Sequence, residues 1–286
     1  MSDERPDAGT PEGTMPPAAP GLATPQAVTA APTWSQPGLR QRAPANYPGC
    51  PITVDIALAR GRTLIPPRWG IPDAIIPLLG FVLISVAVVA LGSLLNLPLT
   101  WLLILGIALP WIALAGWPLL TTSFQGNGPV IDLGLRLTWR DVGWGVIGGF
   151  AALMAGGAIA LVLQAIFGDF SSAAGEVGEQ LRDDGPLFAV VVFALCVAIG
   201  APIAEEIAFR GMAYNALAKR GLNTAWVIAI TTVAFSLFHL EPIRAPILLA
   251  SGLVLGILRW RTRSLGAPII AHAVNNLPGA AFLLLG

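Results

Sequence analysis

Charge is what this chain of 286 residues has least of: Asp, Glu, Lys and Arg together make up 11% of it. An ordinary soluble domain carries roughly a quarter. A chain so poor in charge, 55% hydrophobic with a mean hydropathy of +0.73, cannot hydrate its own surface, so most of it faces lipid or other helices. The charges that remain sum to zero, and nothing points to nucleic acid. Cysteine is nearly absent too. Cys50 lies in a polar stretch and Cys196 in an apolar one, which argues against a disulfide framework or a cysteine metal site. No apolar run precedes Cys50, so a lipobox is not expected there. The first such run begins near Ile71, too far along for an ordinary signal peptide. Histidine occurs only twice, at His239 and His272. Short internal repeats are missing as well.

Proline is abundant but unevenly placed: 13 of the 25 prolines fall in residues 1–70, among Ala, Thr, Gly and Gln. Such a segment buries too little apolar surface to offset its ordering entropy, so residues 1–70 are expected to be a disordered cytoplasmic tail. Within it, Ile52–Leu64 reads as a short interfacial helix. A solvated extension is the plain reading of this tail, ahead of a partner-recruiting one.

Residues 71–286 read as an all-α, polytopic membrane helical bundle. About 20 apolar residues span a bilayer, and about seven runs qualify: 71–95, 100–122, 141–167, one from Pro186 past Arg210 towards Leu217, 223–239, 245–260 and 266–285. The third carries Gly145, Gly148, Gly149, Gly156 and Gly157, small residues that let helices approach closely. Trp69, Trp101, Trp117, Trp139, Trp144 and Trp260 sit near run ends, as an aromatic belt requires. Seven crossings place Arg5, Arg40, Arg42, Arg60, Arg62, Arg68, Arg136, Arg140, Lys219, Arg220, Arg259, Arg261 and Arg263 on one side, and only Arg182 and Arg244 on the other. This positive-inside bias puts the N-terminus in the cytoplasm, in a cell (plasma) membrane.

Against that background the stretch GAPIAEEIAFRG, residues 200–211, is conspicuous. Carboxylates inside an apolar helix cost a few kcal/mol each even on lenient scales. Glu205 and Glu206 point about 100° apart, so they cannot share one role. Glu206 and Arg210 are spaced i,i+4 with the acid first, the favourable order for an ion pair. Glu205 is then left to face a cavity, where desolvation suits a carboxylate to general-base work. A structural ion-pair cluster between helices explains these three residues about equally well. His239 ends the fifth run, one turn after Phe235. His272 and Asn276, again i,i+4, can both donate to one oxygen, as an oxyanion site requires; helix–helix hydrogen bonding, with Asn275 in the same role, is the bland alternative. Together these residues suit water attack on an amide, with Glu205 as base, His239 holding the water or steadying the base, and His272 and Asn276 facing the oxyanion. No serine or cysteine stands at a telling spacing from a histidine, so no covalent nucleophile is indicated. Glu205, His239 and His272 are a possible ligand set for a divalent metal such as zinc, but the HExxH pattern is absent and the sequence leaves the metal open.

Three motifs now stand in order: E-E-x-x-x-R (Glu205, Glu206, Arg210), F-x-x-x-H (Phe235, His239) and H-x-x-x-N (His272, Asn276). Their order and spacing within membrane helices resemble the CPBP family of intramembrane endopeptidases, which includes the type II CAAX prenyl endopeptidases and the bacterial Abi proteins. The resemblance covers a protease-like core at about 132–285. It implies an intramembrane endopeptidase in which Glu205 activates water with help from His239, His272 and Asn276 stabilise the oxyanion, and Glu206 with Arg210 supports the site. It leaves metal dependence open, and it does not carry over a prenylated substrate; a membrane-associated protein or peptide is the expected one. The other readings are a non-catalytic immunity or scaffold protein and, with less support, a transporter with an intramembrane acid, which should show inverted repeats that are not seen here. One tension is built in. Counting along full-length spans puts Glu205 towards the cytoplasmic side and His239 towards the outer side. They meet within about two helix turns (roughly 11 Å) only if helices tilt, break near Gly200–Pro202 or run short. A mid-membrane, water-filled cavity open to the cytoplasm is expected.

Overall fold

The computed structural model describes residues 47–285, and these form ten helices with no strand among them. Local chemistry marks several helix starts. After the short α1 (Pro51–Ala59), α2 (Ile71–Leu94) opens where the Asp73 carboxylate accepts from the backbone N–H of Gly70 at 2.8 Å. α3 (Leu99–Gln125) contains a wider π turn at Ile112–Gly116, just after Pro110, which cannot donate a hydrogen bond to the α ladder. A single turn, α4 (Pro129–Asp132), leads to α5 (Trp139–Phe167), which Thr138 and Asp141 begin with a reciprocal capping box. Ser172 caps the amphipathic α6 (Ala173–Asp184), and Asn223 caps α8 (Thr224–Phe238). Between those two lies α7 (Leu187–Lys219), and the chain ends with α9 (Ala245–Thr262) and α10 (Gly266–Leu285).

Six of these helices, α2, α3, α5, α7, α9 and α10, are long and apolar enough to cross a membrane. The seventh expected run is helical as α8 but has only 15 residues, about 22 Å at 1.5 Å per residue, which falls short of a hydrocarbon core of about 30 Å. The glycines of α5 do what their spacing suggests. A Cβ on Gly145 would lie 2.5 Å from Cβ of Ile270, and one on Gly149 2.5 Å from Cβ of Val274, so α10 seats directly against the α5 backbone.

Hydrogen bonds gather the helix ends. Lys219 Nζ donates to the carbonyls of Pro67 (2.5 Å) and Trp69 (2.6 Å), the N–H of Leu265 to Gly134 O (2.9 Å), and Ser264 Oγ to Arg136 O (3.0 Å). The segments near residues 69, 134, 219 and 264 therefore share one end of the bundle, so α8 and α9 go out and back as a pair. Among the described residues that end holds Arg60, Arg62, Arg68, Arg136, Arg140, Lys219, Arg220, Arg259, Arg261 and Arg263, while Arg182 and Arg244 lie at the other.

Residues 1–46 of the expected tail lie outside the described residues; over residues 47–70 the short helix expected at Ile52–Leu64 is present as α1 (Pro51–Ala59), and the disorder expected around it is not. Residues 47–70 are an ordered strap. Trp69 and Cys50 are fully buried, and Tyr47, Val54 and Leu64 pack on Ile131. Asp132 ties the strap down, accepting from the Tyr47 hydroxyl, from Trp69 Nε1 at 2.7 Å and from the N–H of Asn127 at 2.9 Å. Burial pushes the Asp132 carboxyl above its ordinary range. The partners that order this proline-rich stretch are 63 and 85 positions away along the chain, so its own composition gives no sign of them.

Candidate active site

The site is built on α7. Ordinary α-helix at Ala201–Glu206 is flanked by π turns at Cys196–Gly200 and Ile207–Ala213. Such bulges re-aim side chains and free backbone carbonyls from the helix ladder. The two neighbouring carboxylates consequently have opposite surroundings. Glu206 is fully buried. Its Oε1 accepts from Arg210 Nη1 at 2.9 Å and lies 3.0 Å from His272 Nδ1. Arg210, also fully buried, donates from Nη2 to Gly252 O at 3.0 Å and lies 4.4 Å over the Phe235 ring. The expected pairing of Glu206 with Arg210 is present, and it reaches further than expected, into α9 and α10.

Glu205 has no such partner. Its side chain is 12% exposed; Oε2 lies 3.8 Å from His239 Nε2 and 3.9 Å from His272 Nε2, too far for a hydrogen bond, and is buried without a partner. The neighbours assign the imidazole protons. His239 Nδ1 lies 2.8 Å from Phe235 O, and a carbonyl only accepts, so the proton is on Nδ1. His272 Nδ1 faces the Glu206 oxygen that Arg210 already engages, so it too carries a proton. In their neutral forms both rings therefore turn an Nε2 lone pair towards Glu205 Oε2. Three acceptors around one gap suit an occupant that brings hydrogens or positive charge. A water molecule fits, as does a second proton on one of the imidazoles. Around this gap Phe209, Phe235 and Phe238 stack edge-on, with the Phe235 ring 4.7 Å from His239 and 5.6 Å from His272. That apolar wall strengthens every electrostatic interaction within.

The structure thus brings Glu205, Glu206, Arg210, His239 and His272 together. The depth conflict in the spans is resolved by the shortness of α8. Counted from the turn at 220–223, Glu205 is 14 residues up α7 from Lys219 and His239 is 15 residues up from Thr224, so both sit at about 21–22 Å. Asn276 differs from expectation. It lies one turn beyond His272 on α10, and its amide donates to Val197 O at 3.0 Å, a carbonyl of the first π turn; its Oδ1 accepts from Asn275 at 3.3 Å. Among the described residues no group of three or more His, Cys, Asp and Glu side chains is placed to hold a metal ion. Sequence reasoning missed Gly252, the seat of Arg210. A Cβ there would lie 3.3 Å from Arg210 Nη2 and 3.2 Å from Thr232 Cγ2, and its only signal is an unremarkable glycine in an apolar run.

Fold and site together define a polytopic helical membrane protein with a buried carboxylate–imidazole centre. Residues 187–278, from the start of α7 to the middle of α10, match the family model described as type II CAAX prenyl endopeptidase Rce1-like. That interval, about a third of the chain, contains every site residue named above, and the likeness is the one that the three motifs suggested. The chain is also 26% identical over 154 residues to "Putative membrane peptidase YdiL" of Bacillus subtilis (strain 168), an alignment covering 52% of this chain and 57% of that protein. The chain thus spans little more than half the length of this curated relative. No solved structure matches. These likenesses support a membrane protease.

Proposed function

We propose that this protein is an intramembrane endopeptidase that hydrolyses a peptide bond in a membrane-associated protein or peptide, using water activated by Glu205. The observation that carries the reading is the unpartnered, buried Glu205 Oε2 between two imidazole Nε2 atoms. Glu206 Oε2 is unpartnered as well, but its Oε1 takes Arg210, and a purely structural cluster would give Glu205 such a donor on one oxygen. In the reaction, water held between Glu205 and His239 loses a proton to Glu205 as its oxygen bonds to the substrate carbonyl carbon. Glu205 then returns that proton to the amide nitrogen as the C–N bond breaks. In this scheme His272 carries a proton on each ring nitrogen. His272 then donates from Nε2 to the developing oxyanion while Nδ1 stays on Glu206. Asn276 keeps one amide N–H beyond its bond to Val197 and is the second donor in this scheme. Glu206 and Arg210 hold His272 in place.

The basic end of the bundle lies in the cytoplasm of a cell with this protein in its plasma membrane. The ten basic residues at that end against two at the other support this. Single cysteines introduced at 168–172 should then react with a membrane-impermeant thiol reagent on intact cells, and cysteines at 220–223 should not; the reverse pattern contradicts the orientation. The activity itself is tested by incubating purified protein with a library of membrane peptides, with and without chelator. Cleavage that survives chelation is the expected result; cleavage abolished by chelation and restored by zinc would overturn the water-only scheme. A pure, folded protein that cleaves nothing in bilayers or detergent would favour the scaffold reading.

A further inference from the structure

His239 sits where α8 ends. It is the cap residue that ends α8, with its N–H bonded to Ser236 O at a long 3.3 Å. The next residue, Leu240, has φ +55°, a left-handed conformation that costs a side chain other than glycine roughly 1 kcal/mol or more. Within α8 the ring is tied to Phe235 O at 2.8 Å, and a shift of the 239–244 turn would carry the imidazole away from Glu205. Beside it, Glu241 is the one carboxylate at this end of the bundle whose two oxygens are both engaged across elements. Oε2 accepts from Arg244 Nη1, at the start of α9, and Oε1 accepts from the backbone N–H of Ala173 at 2.7 Å, in the first turn of α6; the side chain is only 15% exposed. α6 is itself anchored: Leu181 is buried against Phe193 of α7 and Leu283 of α10, and a Cβ on Gly178 would lie 2.5 Å from Leu283 Cδ2.

We propose that Glu241 is a positioning residue for the reaction. It latches the 239–244 turn to α6, and so holds the His239 imidazole at the depth and angle at which its Nε2 meets Glu205. The latch lies outside the three motifs and pairs residues 68 positions apart. This inference rests on the protease reading for its kinetic consequence, but its structural consequence stands without it.

Two substitutions test it from opposite sides. Glu241→Ala removes both bonds. Ala173→Pro removes only the donor N–H. The first helical position after Ser172 favours proline, and Ser172 is already extended at φ −106° and ψ 151°, as a residue before proline must be. α6 should therefore remain formed in this variant. Because the chain has only two histidines, protein labelled with 15N-histidine gives two imidazole spin systems, assigned with His272→Gln. Both variants should shift and broaden the His239 signals and leave those of His272 in place. In the cleavage assay Glu241→Ala should lower kcat about 10- to 100-fold with KM unchanged, and the loss should vanish in a His239→Ala background. Unmoved His239 signals in both variants would overturn the proposal whatever the substrate. So would a loss of activity that adds in full to that of His239→Ala, which would mean general destabilisation. If His239 moves as expected but no variant, nor the wild type, cleaves peptide, the latch stands and the protease reading falls.

Discussion

Glu205 and Glu206 are chain neighbours of one chemistry, and their surroundings divide the work between them. Glu206 has a guanidinium and an imidazole on one oxygen; Glu205 has neither within hydrogen-bond reach. A buried ion pair is costly to form and costlier to break, because removing one partner strands the other charge without compensation. Arg210→Ala should therefore destabilise the protein by about 3–5 kcal/mol, read as a large drop in the unfolding midpoint in detergent, together with loss of cleavage. An unchanged midpoint would mean that Arg210 does not neutralise Glu206. The i,i+4 spacings of Glu206 with Arg210 and of Phe235 with His239 were legible in the sequence because helix periodicity is local. Gly252 O as the second acceptor for Arg210 was not, since it lies 42 positions away and a backbone carbonyl carries no residue-specific signal. Asn276 was legible as a polar residue on the His272 face, but its bond to Val197 O depends on the π turn at Cys196–Gly200, of which Gly200 and Pro202 suggested only a break.

At the scale of elements, the length of α8 sets the site. Read as a full crossing, this run separates His239 from Glu205. At 15 residues it stops level with Glu205. The run was visible from its hydropathy, and the expected bounds 223–239 lie within one residue of the helix at either end; hydropathy does not tell whether so short a run makes a full crossing. Inserting four residues within α8 should carry His239 about 6 Å along the axis on nearly the same face. Cleavage should then fall to the level of His239→Ala, while expression and the unfolding midpoint stay near wild type. Cleavage retained at the wild-type rate would show that His239 is not needed at that depth. The glycines of α5 were legible for the opposite reason: close approach leaves a compositional trace in the helix that permits it.

Across the whole molecule, the basic end is closed by the strap at 47–70, whose anchor is Asp132. Beyond the short helix expected at 52–64, this order could not be read from a proline-rich stretch, because the strap is held by what it lies on rather than by its own propensity. Burial raises the Asp132 carboxyl, so the stability linked to its protonated form is complete below the ordinary Asp value of about 3.9 and is lost as pH rises through the higher folded value. Compared with Asp132→Asn, which does not titrate, the wild type should lose stability as pH climbs from about 4. Unfolding midpoints taken across that range check this, and parallel curves for the two proteins would contradict it. The even distribution of apolar runs, the basic bias towards one end and the three motifs all survive at this scale, because they are properties of the chain before it folds.

The central claim is that Glu205 is the base, and it is tested most directly by Glu205→Gln in a single-turnover cleavage assay with a peptide that the wild type cuts. The substitution keeps shape and hydrogen-bonding capacity but removes the proton acceptor. The account predicts a loss of at least about 10²-fold in the rate of the chemical step, with peptide binding and the unfolding midpoint essentially unchanged. A Glu205→Gln protein that cleaves at the wild-type rate would contradict it.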